Sequence, residues 1–235
     1  MLAKSLLFLA SATLALASPC VRSSPVLPVN GGEKELPSPP TGVTLKHIAL
    51  GFGIQNYTCA DAGSTAAATG ALAMLYDITY LYPSQSRRSL SSAAWLTLTG
   101  DVLDNHAVPL NMKTGAGAVG ADAQNPFTAS TALKVNSLEM PFLGHHYFNA
   151  AGVPTFDLGS QVLIGTKLDA VAAPASANKG PDGTGAVAWL YLGDAGGSIG
   201  VKYVYRVLTA GGNAHSCTKA GADSTSYTTM YWFYG

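Results

Sequence analysis

The chain has 235 residues, and its 13 basic and 13 acidic side chains give a formal net charge of zero, with charged residues only 11% of the total. A neutral chain offers no long-range attraction to nucleic acid or acidic lipid, so we exclude nucleic acid as a partner. The length lies within the range of one all-β domain.

Residues 1–17, MLAKSLLFLASATLALA, have the organisation of a secretory signal peptide. Lys4 precedes an apolar run, and the small residues Ala15 and Ala17 match an A-x-A cleavage site. The run is too short to span a bilayer, and no later segment approaches the roughly 20 consecutive apolar residues that a span needs. We therefore expect a secreted protein, extracellular or in the cell wall, without a membrane span.

Residues 18–40 contain six prolines and almost no periodic apolar pattern. Proline removes backbone donors and fixes φ, so this segment is predicted to be a flexible or polyproline-like linker. The β-rich domain is then expected to cover residues 41–235.

Short segments rich in β-branched and aromatic residues recur between clusters of Gly, Pro, Asn and Asp. They are residues 43–50, 54–59, 94–99, 161–166, 187–192, 201–208 and 227–234. Only residues 66–80 would also suit a helix, which Gly70 disfavours. Residues 101–131 and 172–185 are predicted to be long surface loops. The predicted fold class is all-β, a single-domain β-sandwich or β-barrel with long loops.

Two glycine motifs lack the context that their chemistry requires. GAGAVG at residues 115–120 matches the dinucleotide-binding motif, but a poor strand precedes it and Pro126 follows where a helix should begin. GGSIG at residues 196–200 matches a nucleophile elbow, but a strand rather than a helix follows Ser198. We interpret Ser198 as a hairpin-turn residue and expect no cofactor.

The two histidines of GHHYF, His145 and His146, are adjacent and point to opposite faces of an extended strand. They cannot ligate one metal ion together, and neither H-x-H nor H-E-x-x-H spacing occurs, so no metal site is expected. His146 is interpreted either as a buried structural histidine or as part of a functional pocket.

Arg206 lies inside an apolar strand, where alternation places it on the same face as Val204 and Leu208. If that face is the core, Arg206 is a buried charge that must be paired, either as a structural clamp or as a ligand anchor. If that face is the outer one, Arg206 is solvated.

Three cysteines occur, and a secreted chain meets an environment in which disulfides persist. Cys59 and Cys217 lie in the predicted domain, whereas Cys20 lies in the Pro-rich segment. Sequence alone does not establish the pairing; we expect Cys59–Cys217, with Cys20 left over.

The segment GFGIQNYTC, residues 51–59, contains an N-glycosylation sequon at Asn56. A glycan on Asn56 must face water, so alternation would expose Ile54 and turn Gln55 and Cys59 inward. An inward amide needs partners, and we expect Gln55 to find them in Arg206 or His146.

Several segments together resemble a family of secreted fungal and bacterial proteins of uncharacterised function, whose fungal members are often labelled malate dehydrogenase. They are GFGIQNYTC, GALAMLYD, GHHYF with VPTFDLGS, VAWLYL, YVYRVLTAGG, the cysteine at 217 and the closing YWFYG. The resemblance implies that motif positions are occupied by Gln55, Cys59, His146, Asp157, Arg206, Gly211, Gly212 and Cys217. Bacterial members have H-Y-A-G-P-x-W after the histidine, from which residues 148–152 of this chain depart.

The resemblance implies no activity, and the isolated glycine motif gives no support to the dehydrogenase label. We expect a non-catalytic secreted protein of a filamentous fungus, acting in the wall or at a host interface as a virulence-associated effector. Its expected partners are cell-wall polysaccharide or a host extracellular protein. The alternative is a secreted hydrolase of wall or plant polymers that uses His146, Asp157 and Arg206. The candidate pocket is therefore Gln55, His146, Asp157 and Arg206.

Overall fold

The computed structural model describes residues 24–235. The predicted signal peptide and Cys20 lie outside the described residues. The strands are β1 (Leu45–Cys59), β2 (Ala67–Asp77), β3 (Leu133–Val135), β4 (Leu138–Met140), β5 (Phe142–Phe148), β6 (Pro154–Asp157), β7 (Val162–Val171), β8 (Trp189–Asp194), β9 (Tyr203–Gly211) and β10 (Gly221–Tyr234). The helical elements are α1 (Ser92–Asn105) and a 3-10 turn at Thr79–Leu81.

Eight of these strands form a closed antiparallel barrel in the order β1, β10, β9, β8, β7, β6, β5, β2, and β2 pairs back onto β1. The strands β3 and β4 form a separate small hairpin. The prediction of a single all-β domain is confirmed, in its barrel form. Within residues 24–235, no helix is both long and apolar enough to cross a membrane.

Strand β1 merges two segments that were predicted as separate strands, residues 43–50 and 54–59. The glycines between them do not break the strand, because they give room to a neighbouring ring and to the backbone of an adjacent strand. A Cβ at Gly51 would overlap the ring of Tyr231, and a Cβ at Gly53 would overlap the Leu72 carbonyl oxygen of β2. Glycine therefore allows close approach here.

The expected strand at residues 94–99 is wrong, because this segment lies in α1. The side chain of Ser91 accepts a hydrogen bond from the backbone N–H of Ala94 and so caps the helix N-terminus. Trp95, Leu98 and Val102 recur at helical spacing and are buried. Residues 66–80, the one segment that would also have suited a helix, contain β2.

The barrel strands bury side chains on both faces. The inner face holds one apolar cluster, made of Ala49, Leu75, Phe156, Leu158, Leu163, Leu192, Val201, Val204, Tyr231 and Phe233. The outer faces of β1, β2, β8, β9 and β10 form a larger cluster together with α1 and with loop residues such as Leu110 and Ala121. Because this second layer covers β1, Ile54 is 1% exposed, and its predicted exposure is wrong.

Residues 24–40 run along the outside of the barrel. Leu27 and Leu36 pack against the outer cluster. Lys34 forms an ion pair with Asp169 of β7, and the Asn30 side chain donates to the Ala172 carbonyl oxygen. Residues 24–40 thus have no helix or strand, as predicted, but they contact the barrel.

The disulfide Cys59–Cys217 is present, as expected, and links the end of β1 to the segment between β9 and β10. Asn56 lies on the outer side of β1, where its Oδ1 accepts a hydrogen bond of 3.0 Å from the Ser224 hydroxyl. Glycosylation of Asn56 stays a prediction.

Candidate functional site

A cavity of about 570 Å³ opens inside the barrel. Its polar wall consists of Gln55, His146, Thr166, Lys167, Arg206 and Tyr231, and its apolar wall includes Ala71, Phe148, Val153, Phe156, Leu190 and Leu192. Gly152, Lys167 and Ala195 are exposed and form its rim. The structure therefore brings three of the four predicted pocket residues, Gln55, His146 and Arg206, around one space.

Arg206 points into the barrel from β9 and is only 9% exposed. Its Nε and Nη2 both donate to the Ala188 carbonyl oxygen, at 3.1 and 2.8 Å. Among the described residues, no carboxylate lies within ion-pair distance of the guanidinium. Arg206 is thus a buried cation, held in place by a carbonyl group but not neutralised by an acid.

The face-sharing predicted for Arg206 holds for Val204 but is wrong for Leu208. The pairing of β9 with β10 shifts between Thr228 and Met230, and Leu208 has a φ of 48°. This bulge breaks the alternation of side chains, so Leu208 packs with the outer cluster.

His146 projects from β5 into the same cavity and stacks on Phe156 of β6, with ring centroids 4.0 Å apart. Its Nδ1 donates to the Thr155 carbonyl oxygen at 2.9 Å, because a carbonyl can only accept. The pKa of His146 is lowered to about 4, mainly by burial and also by the nearby charge of Arg206, while the bond to Thr155 acts in the opposite direction. His146 is therefore neutral at ordinary pH and its Nε2 is a hydrogen-bond acceptor.

Gln55 lies on β1 and is 7% exposed. Its Nε2 has no hydrogen-bond partner within the described chain, so the expected bonds to Arg206 or His146 are not made through this atom. The Gln55 side chain interacts with the Tyr227 hydroxyl, and its Nε2 is enclosed by protein atoms at the cavity wall.

Two buried tyrosines of β10 lie at the polar side of the cavity, where Tyr231 forms part of the wall and Tyr227 lies behind it. The hydroxyl groups of Tyr227 and Tyr231 lie 3.0 Å apart and share a hydrogen bond. Burial raises the pKa of both hydroxyls, and Arg206 partly offsets that rise. Both tyrosines are therefore neutral, and neither supplies a counter-charge for Arg206.

Asp157, the fourth predicted pocket residue, does not join the other three. It follows Phe156 on β6, and strand alternation turns its side chain to the outer face. There it pairs with His145 across the strands and accepts a hydrogen bond from the Gly159 N–H. His145 lies on that face too, against Phe127 and Phe142, so the two adjacent histidines do face opposite ways.

The glycine motifs are both in connecting segments. Residues 115–120 lie in a loop without a preceding strand or a following helix. Ser198 lies between β8 and β9, and its hydroxyl bonds the carboxylate of Asp194. The hairpin interpretation of Ser198 is confirmed. Within the described residues, no group of three His, Cys, Asp or Glu side chains could hold a metal ion.

Sequence reasoning missed Tyr231, Phe156 and Lys167 as members of the cavity wall. Strand alternation places Tyr231 on the same face as Phe233, two residues further along β10. Phe156 lies on β6, next to the strand that carries His146. The sequence contained no signal that β6, β7 and β10 would curve around the same space.

The molecule defined by these features is an eight-stranded antiparallel barrel with an internal cavity walled by apolar residues and a few buried polar groups. The model of the family described as Protein of unknown function (DUF3455) matches residues 39–235, so the chain belongs to that family. This confirms the expected membership of an uncharacterised family. No curated protein and no solved structure matches the chain.

Proposed function

We propose that this chain is a non-catalytic secreted protein that binds a small organic molecule inside its barrel. One observation carries the proposal: an interior cavity of about 570 Å³ in which buried polar groups converge on a largely apolar wall. Barrels of eight strands are wide enough to hold one small ligand, and apolar cavities with few placed polar groups are the usual form of ligand sites.

The chemistry of the cavity favours binding over catalysis. Among the described residues, no Asp or Glu lines it. His146 has a pKa of about 4 and is therefore a weak general base at neutral pH. The alternative hydrolase needs Asp157 beside His146 and Arg206, whereas Asp157 is on the other face of β6. That alternative has no observation in its favour.

The proposed place of action is outside the cell, in the wall or at a host interface, as a virulence-associated protein of a filamentous fungus. The disulfide Cys59–Cys217 is compatible with an oxidising compartment. The predicted signal peptide and sequon support the same location. Cell-wall polysaccharide and a host extracellular protein remain the proposed macromolecular partners.

The test is a ligand-observed NMR screen of small acids, amines and neutral compounds against three proteins. Ala71→Phe fills the cavity, because Ala71 is a buried wall residue opposite Gln55. Ala93→Phe adds the same side chain at an exposed position of α1 and is the matched control. We expect compounds that bind wild type and Ala93→Phe but not Ala71→Phe. If no compound of any charge class shows that difference, the proposed function is wrong.

A pull-down on insoluble wall polysaccharides tests the proposed partner. Retention that survives Ala71→Phe would show that polysaccharide binds outside the cavity. An absence of retention for wild type would remove polysaccharide from the proposal and leave the host protein.

A further inference from the structure

We propose that the molecule bound in the barrel is an organic carboxylate, with its charged end on Arg206 and an apolar body against Phe156 and Leu192. This inference rests on the proposed function and assigns it a ligand class. It is carried by the charges of the cavity wall and by the way in which the Ala188 carbonyl oxygen holds Arg206.

The charge balance of the cavity calls for an anion. Arg206 is 9% exposed and carries the positive charge of a guanidinium, and Lys167 at the rim carries a second positive charge. The neutral state of His146 and of the two tyrosines leaves Arg206 without a counter-ion among the described residues. A buried cation is disfavoured unless it is paired, and a ligand anion would supply the missing charge.

The orientation of the guanidinium suits a carboxylate. The Ala188 carbonyl oxygen occupies the edge formed by Nε and Nη2. The other three N–H groups, two on Nη1 and one on Nη2, form the edge that engages carboxylates through two parallel hydrogen bonds. The guanidinium also interacts with the Tyr231 hydroxyl, a neutral group that leaves its charge uncompensated. The backbone carbonyl thus holds Arg206 by the opposite edge.

Gln55 is a second buried polar group of the cavity wall. It is 7% exposed, and its Nε2 is enclosed by protein atoms while its side chain interacts with the Tyr227 hydroxyl. An amide at this wall adds polarity without a negative charge that would compete with a bound anion.

The rest of the wall defines the remainder of the ligand. Ala71, Phe148, Val153 and Leu190 surround the cavity together with Phe156 and Leu192, and none offers a polar side chain. The volume of about 570 Å³ exceeds what a small inorganic anion would fill. An apolar body next to a single carboxylate fits both features.

The experiment compares octanoate with octanamide, which have the same chain and differ in charge. Titration calorimetry is done with wild type, with Arg206→Met, which removes the cation but keeps the apolar stem, and with Arg88→Met. Arg88 lies over the ring of Tyr80 on the surface and is the matched control. We expect octanoate to bind wild type and Arg88→Met about tenfold or more tightly than octanamide, and Arg206→Met to abolish that preference.

A second measurement keeps the proposal testable if Arg206→Met does not fold. In wild type, the side-chain amide NMR signals of Gln55 and the Nε–H signal of Arg206 are expected to shift on addition of octanoate and not of octanamide. Unshifted signals would overturn the inference.

The outcomes separate the inference from the proposed function. Equal binding of the two compounds, or a preference for octanoate that survives Arg206→Met, would overturn the carboxylate assignment while the barrel remained a binding protein. Failure of both compounds, alongside other compounds that bind and are lost in Ala71→Phe, would have the same meaning. If no compound at all depends on the cavity, the proposed function falls and the inference falls with it.

Discussion

Arg206 and His146 occupy the inner face of the barrel for different physical reasons. The Arg206 guanidinium donates to the Ala188 carbonyl oxygen and has no acidic partner among the described residues, whereas the His146 imidazole is kept neutral by burial, with one nitrogen bonded to Thr155. Burying an unpaired charge costs stability, whereas burying a neutral imidazole does so only when the imidazole must take up a proton. We therefore expect removal of the Arg206 charge to cost no stability and protonation of His146 to reduce it.

Replacing Arg206 by Met in the ligand-free protein is expected to leave the free energy of unfolding unchanged or to raise it by about 1 kcal/mol. The reason is that a buried cation without an acid is exchanged for an apolar side chain of similar length. Urea unfolding of both proteins measures this. A loss of about 3 kcal/mol or more would instead identify Arg206 as a structural clamp through Ala188.

Acidification is expected to destabilise the protein through His146. Its pKa is about 4 in the folded protein, against 6.5 ordinarily, so between these values the unfolded chain binds a proton that the folded one does not. The free energy of unfolding should fall across this window as pH is lowered, by up to about 3 kcal/mol from this residue.

The variant His146→Phe, which can still stack on Phe156, isolates this contribution. Urea unfolding at about pH 7 and about pH 4.5 should show a smaller loss in the variant than in wild type. His47, whose pKa is raised mainly by its hydrogen bond with Asp77, contributes with the opposite sign in both proteins and cancels. Equal losses in the two proteins would contradict the prediction.

At the scale of elements, β1 and β7 differ in how closely their neighbours approach a glycine. A Cβ at Gly53 would overlap backbone atoms of Leu72 and Ala73, which cannot move without distorting β2. A Cβ at Gly165 would lie 3.3 Å from Leu192 Cδ2 and 3.4 Å from the Pro154 carbonyl oxygen. The first substitution therefore forces the backbone and the second requires only small adjustments.

We expect Gly53→Ala to lower the free energy of unfolding by about 3 kcal/mol or to prevent folding, and Gly165→Ala to lower it by less than about 1 kcal/mol. Chemical denaturation of the two variants beside wild type provides the comparison. A similar cost for both would mean that β1 adjusts more freely than the structure indicates.

The elements also show what sequence patterns can and cannot predict. Segments dominated by β-branched and aromatic residues, such as residues 201–208 and 227–234, became β9 and β10 because their composition suits a pleated, buried strand. The strand predicted around Trp95 is wrong because a run of six residues is too short to distinguish the spacing of a strand from that of a helix. The cap at Ser91 and the burial of Trp95, Leu98 and Val102 along one face favour the helix.

Strand alternation also predicted some of the cavity residues correctly and others wrongly. It turned Gln55 inward, and opposite faces for His145 and His146 followed from adjacency alone. It failed at Leu208, because a bulge that depends on the partner strand is invisible in one segment. The resemblance places Asp157 at a motif position, but alternation along β6 turns its side chain to the outer face.

At the scale of the whole molecule, the described residues that precede the barrel, 24–40, contribute to its stability. Leu27 and Leu36 are partly buried against the outer cluster, and Lys34 pairs with Asp169. A chain beginning at Thr41 is expected to fold but to lose about 2 kcal/mol of unfolding free energy, mostly from the apolar contacts of the two leucines.

The double substitution Leu27→Ala with Leu36→Ala in the longer chain should reproduce most of that loss, because it removes the same contacts. Thermal and urea unfolding of the three proteins would test this. If the shortened chain is as stable as the longer one, residues 24–40 are only a linker.

The pairing of β1 with β10 also bears on how the barrel forms. These strands pair along their full length, from Leu45 with Tyr234 to Cys59 with Gly221, and the disulfide at their end joins residues 158 apart in sequence. Hairpins such as β5 with β6 and β8 with β9 can form early from neighbouring segments, but this closing ladder must wait for distant chain to arrive. Until then two strand edges stay unpaired and open to association with other chains, which makes ring closure the step most exposed to misassembly.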